Sequence, residues 1–282
     1  MMNMKHSIAG VLFALATTLA SAGVAHAGRG GSSANITAAV QSGSVDSIIA
    51  EVERAEGLMC DECIQTLTNL TEDARYPVRE VAAWWFAKRP QLADALSEQF
   101  MGDLGTGNAM SVRNAADFLG AVRNYKALPG LQAAMGRGNL TVEAKLAVVR
   151  AVAVLAHVKG NPTLVAAMND SDASVRAAAV VAWRDILGQT DVTPVMALLG
   201  DANAEVRSKT ATLAGAYAAS SARAQLETLV QTDSDATVRR NAAWALGKIG
   251  DPSSSVALTK AARDPSGIVR GVAKAALATL RH

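Results

Sequence analysis

Apolar residues return along this chain at helical steps nested inside a longer period. From Val238, the apolar positions Val238, Ala242, Ala245, Leu246 and Ile249 fall at steps of 0, 4, 7, 8 and 11. From Val206, the run Val206, Thr210, Leu213 and Ala214 begins the same way. Such steps line one face of a 3.6-period helix and do not fit a strand. The face is rich in Ala, which lets neighbouring helices approach closely.

The block itself recurs. Val-Arg stands at Val78-Arg79, Val112-Arg113, Val175-Arg176, Val206-Arg207, Val238-Arg239 and Val269-Arg270. Val142-Glu143 fills the one gap, and successive copies lie 30 to 34 residues apart. Val45-Asp46 reads as a degenerate N-terminal copy. A period near 32 predicts two short helices and two turns per unit. The prolines fit this frame. Pro90, Pro129, Pro162, Pro194 and Pro252 stand where a first helix should begin, where a missing N–H is harmless. Asn161, Thr193 and Asp251 precede three of them as expected N-caps. Pro77 and Pro265 mark the turn before the second helix.

The D…VRxxA blocks, for example Asp233 through Val238-Arg239 to Ala242, resemble the HEAT-repeat superfamily. They are most similar to the short HEAT-like repeats of phycobilisome lyases and many bacterial proteins. The resemblance spans residues 35–282 and implies an all-α solenoid: helix pairs stacked in a right-handed superhelix, second helices on the concave side. It implies scaffold or adaptor roles, and in a few members lyase activity, so a bilin-lyase-like chaperone is one reading it allows.

Five copies carry Asp six residues before the Arg: Asp73/Arg79, Asp170/Arg176, Asp201/Arg207, Asp233/Arg239 and Asp264/Arg270. Asp in the turn can accept N–H groups at a helix start. Arg on the first turn of the second helix can reach carboxylates or carbonyls with its planar fork. The periodicity predicts a structural ladder between repeats. The Val142 copy breaks it, with Arg137 in the acid slot and Glu143 in the Arg slot. The copy before it has Gly107 in the acid slot. An irregular join is expected over 102–143, with Gly102, Gly105, Gly107, Gly136 and Gly138 in looser turns.

Composition narrows the chemistry. The 282 residues are 50% hydrophobic, which excludes disorder over most of the chain, and the net charge is only +2. That balance argues against a nucleic-acid surface. The histidines His6, His26, His157 and His282 complete no metal or catalytic set, and no cofactor is expected. His157 is expected late in a helix. Residues 1–27 read as a signal peptide: a Lys5-His6 start, an apolar run from Ile8 to Ala20, and Ala25-His26-Ala27 as the cleavage site. Cleavage after Ala27, a flexible leader over 28–34 and a periplasmic or secreted location follow as expectations. No later run is apolar and long enough to span a bilayer.

Cys60-Asp61-Glu62-Cys63 is the one reactive-looking motif, at the start of a helix expected to run through Leu70. Export favours a structural disulfide. Closing so small a loop stabilises by only about 2 kcal/mol. A thiol–disulfide exchange site, a metal contact and an intermolecular bond are the alternatives. The acids between the cysteines oppose thiolate formation.

Trp84, Phe118 and Trp244 share one slot six residues after the Val, on the flank of the buried stripe. With Glu80, Asn114 and Lys145 they are the candidates for a partner-binding groove on the second helices. Packing against the next repeat is the competing role. Trp85 and Trp183 fall on the stripe itself and read as core. The sequence thus points to an exported, non-enzymatic scaffold that binds a protein partner, with a thiol-redox or maturation factor second. Exposed solenoid ends also allow a homo-oligomer.

Overall fold

The computed structural model describes residues 31–280, so the signal sequence, its cleavage site and His282 lie outside the described residues. Among the described residues there are sixteen α-helices and no strand. They form eight pairs, divided into two compact units between Leu155 and Ala156.

The N-terminal unit holds four pairs. They are α1 (Ser33–Ser42) with α2 (Val45–Arg54), α3 (Asp61–Leu70) with α4 (Tyr76–Ala87), α5 (Pro90–Thr106) with α6 (Ala109–Ala121), and α7 (Leu128–Met135) with α8 (Val142–Leu155). The C-terminal unit holds α9 (Asn161–Met168) with α10 (Ala173–Asp185), α11 (Thr193–Met196) with α12 (Ala204–Ala216), α13 (Arg223–Thr232) with α14 (Ala236–Ile249), and α15 (Ser255–Ala261) with α16 (Gly267–Thr279). Within each unit, second helices pack side by side: α2, α4, α6 and α8 in one, α10, α12, α14 and α16 in the other. First helices form the other layer, and the core lies between the layers.

Each second helix carries its repeat Val at or near its start. Val78, Val112, Val175, Val206, Val238 and Val269 are fully buried. Val45 and Val142, which lack the following Arg, are half-buried. Side-chain caps start most of these helices. Ser44, Asn108, Asp172, Asn203 and Asp235 each accept a backbone N–H from the first turn.

Four local expectations need correction. Ser32 caps α1, and Gly31 is buried with its N–H on the Arg54 carbonyl at 2.9 Å, so residues 31–34 do not belong to the flexible leader expected over 28–34, whose first three residues lie outside the described residues. Asn161 and Thr193 are not caps. Asp191 accepts the Thr193 N–H instead, and His157 accepts the Lys159 N–H through Nδ1. His157 therefore opens a short 3₁₀ turn after α8 and does not lie within a helix. Gly102 and Gly105 sit inside the 17-residue α5 and not in a looser turn. The helix ends at Gly107, where a Cβ would lie 2.6 Å from the Asp103 carbonyl oxygen.

Candidate functional site

The expected ladder exists, in a more specific form than the sequence spacing suggested. In the C-terminal unit each repeat Arg divides its fork. Nη1 of Arg176 donates to the carbonyls of Asp170 and Ser171 in its own turn, at 2.9 and 3.0 Å. Its Nε and Nη2 donate to the Asp201 carboxylate of the next turn, at 2.7 and 2.9 Å. Arg207 repeats this on Asp233, and Arg239 on Asp264. Arg270 makes the carbonyl half of the pattern. The Asp and Arg of one copy therefore meet through a backbone carbonyl, and the ion pairs run to the following copy. Each carboxylate also accepts a backbone N–H two residues on, as Asp170, Asp201, Asp233 and Asp264 all show. The Arg176 and Arg239 forks hold the carboxyls of Asp201 and Asp264 below the usual aspartate range.

The N-terminal unit solves the same problem differently. Arg79 keeps its own-turn carbonyl bonds, to Asp73 at 2.7 Å and Ala74 at 2.9 Å. The Asp73 carboxylate goes to Arg75. With Gly107 in the next acid slot, the Arg79 fork finds Asp117 on α6, at 3.0 and 2.7 Å. Arg150 on α8 takes the second carboxylate oxygen, at 3.0 and 2.5 Å. The Asp117 side chain is 2% exposed and that of Arg79 4%, deeper than any ladder arginine. Arg137 does not pair with Glu143. It reaches back to the carbonyls of Leu104, Gly105 and Gly107, so the exchanged charge caps the previous turn.

Above this hub lies a groove of about 240 Å³ on the second helices, lined by Tyr76, Glu80, Trp84, Asp117, Arg123 and Arg150 among others. The Arg150 guanidinium stacks 4.0 Å from the Tyr76 ring centre, and the Tyr76 hydroxyl donates to Glu80 at 2.9 Å. Burial, then the Glu80 carboxylate, push the Tyr76 hydroxyl up to about 12, so it stays a donor. Trp84 is half-buried on the groove wall, with the Lys88 ammonium 5.3 Å from its ring centre. At the floor, Gly120 lets α6 pack closely against Ala151 of α8. A Cβ there would stand 2.8 Å from the Ala151 Cα.

Of the six partner candidates, the structure brings Trp84 and Glu80 together. Phe118 is a correction: it is 1% exposed and packs on Phe86 and Phe100, drawn inward by the aromatic cluster under α5. Asn114 is likewise buried, and its amide oxygen accepts both Nε and Nη2 of Arg113. Lys145 is half-buried on α8 and does not line the groove. Trp244 is half-buried in the other unit, against Gly215, with Thr212, Arg240 and Val272 around it. Trp85 and Trp183 are core as expected. Asp117 and Arg150 escaped the sequence reading. The available signal was an acid inside an apolar helix, close after a copy with no acid in its turn.

Cys60 and Cys63 form a disulfide, and no described cysteine is free. Cys60 is the N-cap of α3, and its Sγ accepts the Cys63 N–H at 3.1 Å. The loop before it is fastened from α4 and the turn after it. Trp85 Nε1 donates to the Ala55 carbonyl at 2.9 Å. Arg89 stacks 3.4 Å from the Trp85 ring centre and donates to the carbonyls of Glu56 and Leu58. Among the described residues no three His, Cys, Asp or Glu side chains group as a metal site, and no helix is long and apolar enough to cross a membrane.

These features define an α-solenoid of HEAT-like helix pairs. A family model described as HEAT repeats matches residues 192–278, the last three pairs. The Escherichia coli protein YibA aligns over 100% of both chains at 13% identity, with a TM-score of 0.58. A HEAT-like repeats protein from the archaeon Thermococcus onnurineus shares 13% identity over 77% of this chain and 97% of its own, TM-score 0.54. Kap95p, solved with RanGDP, shares 15% identity over 87% of this chain and 41% of its own, TM-score 0.54. At such identities these likenesses show the fold. No curated protein sequence matches this chain significantly.

Proposed function

We propose that this chain is an exported, non-enzymatic scaffold that holds a protein partner on the second-helix face of its N-terminal unit. The observation that carries the reading is the groove over Asp117. Its charged floor is fixed by two arginines, and its wall presents the rings of Trp84 and Tyr76, which can anchor a partner side chain without reorganising. Asp117 accepts from Arg79 on one carboxylate oxygen and from Arg150 on the other, which suits a rigid floor. Kap95p, of similar fold, is solved with a protein partner.

The test is photo-crosslinking in the native exported compartment, with a photoreactive residue at Trp84 or at the exposed Gln132 on α7. A crosslink from position 84 and none from 132 is expected. Equal crosslinking from both sites counts against the groove. Repeating the experiment with Cys60→Ser and Cys63→Ser separates the thiol-redox alternative: a partner retained in these variants is bound by the scaffold. N-terminal sequencing of the exported protein checks cleavage after Ala27.

A further inference from the structure

We infer that the second-helix face of the C-terminal unit docks an acidic, extended segment of a partner protein that also carries an apolar side chain. The inference rests on the scaffold reading and adds a second site with its own chemistry. Two adjoining cavities of about 230 and 300 Å³ share Thr212 and Asn241. Three cations line them, Arg184, Lys209 and Arg240, and no carboxylate does. Val181, Leu213, Val272 and Trp244 supply apolar wall.

The positive charge there is poorly neutralised. Arg184 meets Asp185 and Lys209 meets Glu205, each at 3.3 Å with both partners well exposed, and such pairs are weak and readily exchanged. Arg240 gives its Nε and Nη2 to the neutral amide oxygen of Asn241, at 2.9 and 2.6 Å. Asn241 is itself fixed by donating to Ser208 Oγ at 2.7 Å. The Arg240 charge is thus pre-oriented and has no ion pair among the described residues. The ladder arginines, by contrast, are each spent on an aspartate at the turn edge. The N-terminal groove is also different, because Glu80 and Asp117 line it.

The cavities run across α10, α12, α14 and α16. At 8–10 Å between neighbouring helices this is a track of about 25–30 Å, the reach of about eight extended residues. Its length favours a chain segment over a small anion. One tryptophan among valines favours an apolar side chain over a row of stacked bases.

The test selects random peptides displayed on phage against the full-length protein, then measures a fluorescent selected peptide by anisotropy. Selected sequences should be rich in Asp and Glu with an interspersed apolar residue. Arg240→Glu should weaken binding about tenfold or more, Arg240→Gln less, and added salt should weaken it further. Melting curves establish that the variants fold. Trp84→Ala should leave this affinity unchanged, so the two sites fail or stand separately. Selected peptides without acidic excess, or unchanged affinity in folded Arg240→Glu, overturn the inference. So does tighter binding of a fluorescent oligothymidylate that Arg240→Glu abolishes, which would make the track a nucleic-acid groove.

Discussion

The two units handle the same arginine in opposite ways. In the C-terminal unit, Arg176, Arg207 and Arg239 are each shared between their own turn and the next, and Asp201, Asp233 and Asp264 each cap a turn while pairing with them. Charge neutralisation is distributed, near the surface, and copied from pair to pair. In the N-terminal unit, Gly107 removes one acid, and the structure replaces it with Asp117 from inside a helix. One buried carboxylate then holds two arginines from α4 and α8. A distributed ladder tolerates the loss of a rung. A single hub does not, because truncating it strands a buried guanidinium.

The largest expected effect tests that contrast directly. Asp117→Ala leaves Arg79 buried without a counter-charge and should cost about 3–5 kcal/mol. Asp201→Ala leaves Arg176 its turn carbonyls and partial exposure, and should cost about 1.5–3 kcal/mol. Chemical denaturation of both variants measures the difference. Equal losses would erase the distinction between hub and ladder.

Glycines sharpen the comparison at the next level. A Cβ on Gly215 would lie 2.4 Å from Trp244 Cζ3 and 2.8 Å from the Ala245 Cα. Gly215→Ala should therefore destabilise by about 1–3 kcal/mol and shift the Trp244 emission. A Cβ on Gly107 would face an immovable carbonyl, so Gly107→Asp should lower the melting temperature and fail to rebuild a rung.

Acid titration is expected to act on the ladder next. The arginine forks lower the Asp201 and Asp264 carboxyls in the folded state. Their contribution is therefore complete above the unfolded aspartate value and is lost as pH falls through the lower folded value. Melting temperature should drop from about pH 5 downward, and Asp264→Asn should flatten that drop. An unchanged slope in Asp264→Asn would show that this rung contributes nothing. The smallest effect is favourable. Gly102 lies inside α5 with no neighbour within 4 Å of an added Cβ, so Gly102→Ala should stabilise by about 0.5–1 kcal/mol, read as a higher denaturant midpoint.

Helix pairing was legible because it is periodic. Each Val slot opens a second helix, and even the two copies without the following Arg, at Val45 and Val142, do so with half-buried valines. The candidate site was half legible. A slot six residues past the Val lies on the flank of the stripe, where neighbours decide between burial and exposure. Trp84 and Trp244 stay at the surface, while the Phe86 and Phe100 rings take Phe118 inside.

By itself, the sequence determined the helix pairs, their number and the ladder residues of the C-terminal unit, since these rest on local periodicity and turn chemistry. Which carboxylate each arginine meets was decided only in three dimensions. The partner lies one repeat away or across a helix face, as Asp201 and Asp117 do, and spacing along the chain does not encode that distance. The two grooves follow the same rule. Their chemistry comes from side chains on three or four parallel helices, brought together where Gly120 and Gly215 let the backbones and rings of their neighbours come close.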